Sequence, residues 1–151
     1  MEAEERMELK TIICPVDGTE LSDKILDAAA YLHKISGAKL ILLNVVEKWY
    51  RSEPLTTNSK EWKDIHEGWL NEGREVLSSA VERLKGMGVK NIDTDLRDGD
   101  AAYEIIAIAT EKMADLILMA THRYTPVGKL FLGSVTDRVT KKAPCPILWL
   151  F

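Results

Sequence analysis

Short apolar runs alternate with amphipathic helical stretches, and this order predicts an α/β fold with a doubly wound parallel sheet and helices on both faces. Near-continuous apolar runs occur at TIICPV (11–16), AKLILLNVV (38–46), ADLILMA (114–120) and CPILWLF (145–151), as suits strands buried on both faces. Between them apolar residues recur at helical spacing. The 151 residues fit one core. We expect an acidic leader over 1–8 and a single domain over 9–151.

After the first strand, Leu21, Ile25, Ala28, Ala29, Leu32 and Ile35 form one helical stripe, with Thr19 placed to cap it and Gly37 to end it. The second strand is followed by a long helix over 60–85, whose inner side carries Trp62, Ile65, Trp69, Val76, Leu77, Ala80, Val81 and Leu84. Gly86 or Gly88 ends it. VKNIDTDL (89–96) alternates weakly and belongs nearer a sheet edge. A third helix starts at Asp100 as N-cap and buries Ile105, Ile106, Ala109 and Met113. The fourth begins at GSVTD, where Ser134 and Asp137 have the spacing of a capping-box variant, and ends near Lys141 and Lys142, which suit the helix dipole. ILWLF closes the chain as an edge strand.

Composition removes several function classes. Hydrophobic residues make up 46% and charged residues 29%, with a net charge of −4 spread along the chain, so no basic stripe supports nucleic-acid binding. The opening MEAEERMELK lacks the apolar core of a secretion signal and no later run is long enough to span a bilayer, which predicts a cytoplasmic protein without membrane contact. Cys14 and Cys145 have no CxxC or Cys/His spacing and are expected to be buried, reduced thiols. In GKLFLGS the lysine follows the first glycine rather than the last, and no GxGxxG occurs. A P-loop NTPase and a typical dinucleotide dehydrogenase are disfavoured.

Ligands of doubly wound sheets bind beyond the C-terminal strand ends, which directs attention to the loops 16–20, 46–60, 97–101 and 120–133. Asp17 stands at that mouth, either to accept a hydrogen bond from a ligand or to satisfy backbone donors of the next helix. Gly133 and Ser134 stand where a helix N-terminus would form an anion site, or an ordinary helix cap. His122 lies beside them, while His33 and His66 fall in helices; no HExxH or nucleophile elbow occurs, and no catalytic residue is assigned. Trp49, Trp62 and Trp69 cover apolar surface around the second helix or stack on a base. Trp149, in the apolar edge strand, predicts a homodimer through that edge. The stretch 47–62 is the longest expected loop, a lid or a plain connection.

The segments VDGTELSDKIL, AKLILLNVV, RDGDAAYEI, ADLILMATH and LGSVTDRVTKKAPCPILWL, in that order, resemble the universal stress protein family along nearly the whole chain. The resemblance implies a five-stranded parallel sheet of the adenine-nucleotide alpha-hydrolase-like type, commonly dimeric, with ATP held in one branch by Gly-x2-Gly-x9-Gly-Ser/Thr. Here that spacing reads Ala120-x2-Arg123-x9-Gly133-Ser134, so both early glycines are replaced. It further implies adenine contacts at Asp17 and near Val45, and phosphate contacts at Gly133, Ser134 and the amides of Val135 and Thr136. Arg123 either fills the phosphate volume or sends its guanidinium to the phosphate. The implied function is a dimeric module responding to ATP or another adenine nucleotide, with altered or weakened binding, Mg²⁺ entering with the nucleotide, and an unknown protein partner. The alternatives are a slow metal-dependent adenine-nucleotide hydrolase and a nucleotide-independent interaction dimer.

Overall fold

In the computed structural model, residues 6–47, 60–121 and 134–151 are described. Among them strands and helices alternate: β1 (Thr11–Pro15), α1 (Glu20–Ser36), β2 (Lys39–Val46), α2 (Lys60–Gly86), β3 (Ile92–Asp98), α3 (Ala101–Glu111), β4 (Leu116–Ala120), α4 (Ser134–Lys142) and β5 (Ile147–Leu150). The strands form one parallel sheet in the order β3-β2-β1-β4-β5. The expected fold class is borne out, with β3 and β5 at the two edges as read from the sequence.

Each central strand supplies both cores because successive side chains point to opposite faces. Ile12, Cys14, Leu40, Leu42 and Leu118 pack with Ile25, Leu26 and Ala29 of α1 and Leu77, Ala80 and Leu84 of α2. Ile13, Ile41, Leu43, Ile117 and Met119 pack with Ala102, Ile105, Ile108 and Ala109 of α3 and Val139 of α4. This division follows from right-handed crossovers. The chain first steps outward from β1 to β3, laying α1 and α2 on one face, then returns past β1 to β4 and lays α3 and α4 on the other.

Three apolar positions expected inside are outside. Ile35 is 65% exposed: at about 100° per residue it lies roughly 125° from the centre of the stripe set by Ile25, Leu26 and Ala29. Ile65 is exposed for the same reason, while Trp62 is buried. Met113 is 84% exposed because α3 ends at Glu111 and Met113 takes a left-handed φ of 48° past the cap. Thr19 is the N-cap residue of α1 by position, yet its hydroxyl makes no capping bond. Gly37 ends α1 as expected, in the left-handed conformation with its N–H donating to the His33 carbonyl. The His33 Nδ1–H donates to the Ala38 carbonyl, a structural role at the same turn.

Cys14 and Cys145 are both free; Cys14 is buried in one core, and Cys145 is only half-buried against the other, which separates them by the sheet. Burial pushes both thiols above their ordinary value. No helix among the described residues is long and apolar enough to cross a membrane.

The two edges differ in chemistry. On β3, Arg97 bonds Asp95, Glu104 and Glu111, tying the strand to α3, and Asp93 pairs with Lys39. On β5, Leu148 and the following Phe151 stay exposed.

Gly73, in mid-α2, was not foreseen. A Cβ there would stand 2.6 Å from the Leu96 side chain and 2.7 Å from Asn44 Oδ1, so glycine lets α2 lie close against β2 and β3. We expect Gly73→Ala to destabilise the fold by about 1–3 kcal/mol through overpacking. Gly68→Ala, with open space around it in the same helix, should be neutral or stabilise by up to about 1 kcal/mol. Urea unfolding of both variants checks this, and equal effects would contradict the close-approach account.

Candidate functional site

Between β1 and β4 the strand order reverses, and helices leave the adjoining strand ends toward opposite faces of the sheet. A cleft at this place is the expected consequence. It is present as a cavity of about 270 Å³. Its floor comes from the ends of β1, β2 and β4 (Pro15, Val16, Leu43, Val45, Met119, Ala120), and its walls from the first turns of α1, α3 and α4. A second cavity of about 250 Å³ shares Asp17, Asn44, Val45 and Glu47 with the first and adds Trp69, Glu72 and Gly73 of α2.

Asp17 is positioned by the turn after β1. Gly18, at φ +81°, turns the chain where a side chain would be strained and would meet Val76. Asp17 Oδ1 accepts from the Thr19 amide at 2.9 Å, the Thr19 hydroxyl at 2.6 Å and the Ser22 hydroxyl at 2.8 Å. Ser22 in turn accepts from the Asp17 amide at 2.8 Å. Partial burial alone would push the Asp17 carboxyl up, but the bonds from Thr19, Ser22 and its own amide outweigh it and hold the group below its ordinary value. Among the described residues all its side-chain bonds fall on Oδ1, and Oδ2 keeps its acceptor capacity. Of the two readings of Asp17, the helix-start role is therefore present, and it does not exhaust the carboxylate.

The first turn of α3 is also occupied by carboxylates. Glu47, half-buried just past β2, accepts from the Ala101 amide at 2.8 Å. Asp100 caps the same helix by accepting from the Tyr103 amide at 2.9 Å, and both its oxygens accept from Arg138 of α4 at 2.8 Å. The Arg138 guanidinium holds Asp100 below the usual carboxylate range. In α4, Asp137 takes Lys141 at 3.0 Å. Among the described residues no side chain meets the first-turn amides of α4. Three helix N-termini, each with unpaired N–H groups and a partial positive charge, thus converge on one cleft. Among the described residues, carboxylates stand at two of them, Glu47 and Asp100 bonding amides of α3 and Asp17 bonding the Thr19 amide and the Ser22 hydroxyl at the start of α1, and none bonds an amide of α4.

The structure brings Asp17, Val45, Ala120, Val135 and Thr136 together on the cavity lining. Ser134 is the exposed first residue of α4, next to that lining rather than in it. Arg123, Gly133, His122, Trp49 and nearly all of the 47–60 loop lie outside the described residues. His66 pairs through Nε2 with Asp98 and stacks on Trp62, whose ring meets Trp69 edge-on, an arrangement that anchors the start of α2 to the end of β3. Asn44 and Glu47 were missed. Asn44 is the one polar side chain inside LILLNVV; it is buried and its Nδ2 donates to the Val16 carbonyl. Glu47 follows its strand in VVEK much as Asp17 does in PVDG, and that positional signal would have found it. No group of three His, Cys, Asp or Glu among the described residues is placed to hold a metal.

The model of the universal stress protein family matches residues 8–150. Universal stress protein MJ0531 of Methanocaldococcus jannaschii is 35% identical over 141 residues, covering 92% of this chain and 80% of the relative. Universal stress protein YxiE of Bacillus subtilis is 30% identical over 146 residues, covering 91% and 95%. Among solved structures, UspA from Lactobacillus plantarum superposes with a TM-score of 0.81 at 17% identity, over 97% of this chain and 100% of that one. A universal stress protein from Archaeoglobus fulgidus in complex with dAMP gives 0.68 at 20% identity, over 97% and 100%. An Arabidopsis thaliana family protein with AMP bound gives 0.66 at 16% identity, over 93% and 90%.

Because the Asp17 carboxyl lies below its ordinary value, its ionised form stabilises the fold above about pH 3.9, and that contribution is lost as pH falls through the lowered value. Carboxyl-detected NMR titration should give a midpoint below about 3.9 that moves up in Ser22→Ala. A midpoint unaffected by Ser22→Ala would contradict the hydrogen-bond origin of the shift.

Proposed function

The chain belongs to the universal stress protein family, and on that premise we propose that its cleft holds an adenine nucleotide, ATP or another. The observation that carries this reading is the uneven occupation of the three helix N-termini. Asp17 and Glu47 make one end acceptor-rich and hostile to phosphate, while the first turn of α4 offers amides to it. In this reading the nucleoside end lies against Asp17 and Val45, and the phosphates lie on Gly133, Ser134 and the amides of Val135 and Thr136. Mg²⁺ would enter on the phosphates, since such ions are commonly held by substrate oxygens and water. The AMP and dAMP complexes of family members support the ligand class.

In this reading the protein acts as a nucleotide-responsive module in the cytoplasm rather than as a fast enzyme, as a sequence without an HExxH or nucleophile-elbow motif suggests. Replacement of the two early glycines by Ala120 and Arg123 alters or weakens the phosphate end relative to the glycine-rich loop of the ATP-binding branch. We also propose a homodimer through β5. Its support is the contrast of edges: β3 is guarded by Asp93, Asp95 and Arg97, and β5 presents Ile147, Leu148 and Trp149 without a charge.

Mass spectrometry of small molecules released from the denatured protein, followed by calorimetric titration with ATP, ADP and AMP, tests the nucleotide reading. Binding with Kd below millimolar is expected, and its absence at millimolar nucleotide sinks the proposal. Arg123→Gly should tighten ATP binding about tenfold if the arginine fills the phosphate volume, and weaken it about as much if the guanidinium serves the phosphate. Sustained Mg²⁺-dependent turnover lost on Asp17→Asn would favour the hydrolase reading instead.

For the dimer, Trp149→Asp should convert a dimer to a monomer in sedimentation. A monomeric parent protein overturns that part.

A further inference from the structure

We propose that Glu47 is a specificity-determining residue that accepts a hydrogen bond from the sugar hydroxyls of the bound nucleotide, and so selects ribonucleotides over deoxynucleotides. This rests on the adenine-nucleotide reading and adds to it the part of the ligand that a single side chain inspects.

Three observations carry it. Glu47 borders both cavities: both hold Val45 of the base end beside it, and the first also contains Val135 and Thr136 of the phosphate end. The portion of a nucleotide that lies between base and phosphate is its sugar. Next, Glu47 is held in place by a neighbouring element, since its Oε1 accepts from the Ala101 amide at 2.8 Å. A carboxylate anchored through one oxygen presents the other at a fixed position, which is what discrimination between a hydroxyl and its absence needs. Last, a carboxylate only accepts hydrogen bonds, so its partner must be a donor. A ribose offers two adjacent O–H donors, and a phosphate at the same place would be repelled. Asp17 also borders both cavities and keeps Oδ2 open, but it is held by Thr19 and Ser22 on the side of α1 rather than α3, so the Glu47 variants below separate the two carboxylates.

A site built to accept from a substrate hydroxyl discriminates strongly against the analogue that lacks it, because the acceptor is then left without a partner. Calorimetric titration of the full chain with AMP, 2′-deoxy-AMP and 3′-deoxy-AMP therefore decides the matter. The wild-type protein should bind AMP at least about tenfold more tightly than one of the deoxy forms, the scale of a hydrogen bond to a charged group. Glu47→Gln keeps a carbonyl for the Ala101 amide and should melt close to the wild-type temperature, yet its AMP affinity should fall to that of the deoxy form. If Glu47 only caps α3, Glu47→Ala lowers the melting temperature and neither variant changes the AMP-to-deoxy ratio. No discrimination by the wild-type protein, or discrimination kept in Glu47→Gln, overturns the proposal without touching nucleotide binding. Failure of the wild-type protein to bind AMP or either deoxy form, in contrast, brings down the nucleotide reading itself and this inference with it.

Discussion

The right-handed crossover governs this molecule. Once β1 lies at the centre and the chain moves outward through β2 to β3, handedness commits α1 and α2 to one face, and the return to β4 commits α3 and α4 to the other. At the boundary between the two halves the strand order reverses at the C-terminal ends of β1 and β4. The first turns of α1, α3 and α4 border the gap, so their unpaired amides meet there. The cleft is thus a by-product of topology, and the sequence needs to decorate it rather than build it.

That decoration is unequal. Helix N-termini that converge in one place repel one another unless anionic groups face them, and Asp17, Glu47 and Asp100 supply such groups to α1 and α3. The arrangement gives the cleft a polarity along its length. An acceptor-rich end is bounded by β1, β2 and α3, and an amide-rich end is bounded by α4. A ligand with hydroxyl or amine donors at one end and an anionic group at the other matches it, and a nucleotide is such a ligand.

The sequence made the sheet legible because strands buried on both faces leave near-continuous apolar runs, and β1, β2 and β4 are of that kind. It was less informative at helix ends. Ile35, Ile65 and Met113 read as interior because spacing of three or four residues resembles a stripe even where the angle has drifted away from the core or the helix has stopped. Site residues divide in the same way. Asp17 was visible as a carboxylate at a strand's C-terminal end, and Val45, Ala120, Val135 and Thr136 from the order of family segments. Asn44 was hidden inside an apolar run, and Gly73 in the middle of a helix owes its identity to side chains from β2 and β3 that only the folded chain brings near. Thr19 shows a local rule redirected: its hydroxyl donates to the Asp17 carboxylate and makes no capping bond to its own helix.

The central claim is that the two ends of the cleft bind the two ends of a nucleotide, and mapping backbone amide shifts while AMP is added tests it most directly. The account predicts the largest changes in two groups at once, Ser134 to Thr136 at the start of α4, and Asp17, Val45 and Glu47 at the ends of β1 and β2. Saturable shifts confined to another surface, or changes at α4 alone that inorganic phosphate reproduces in full, would contradict it.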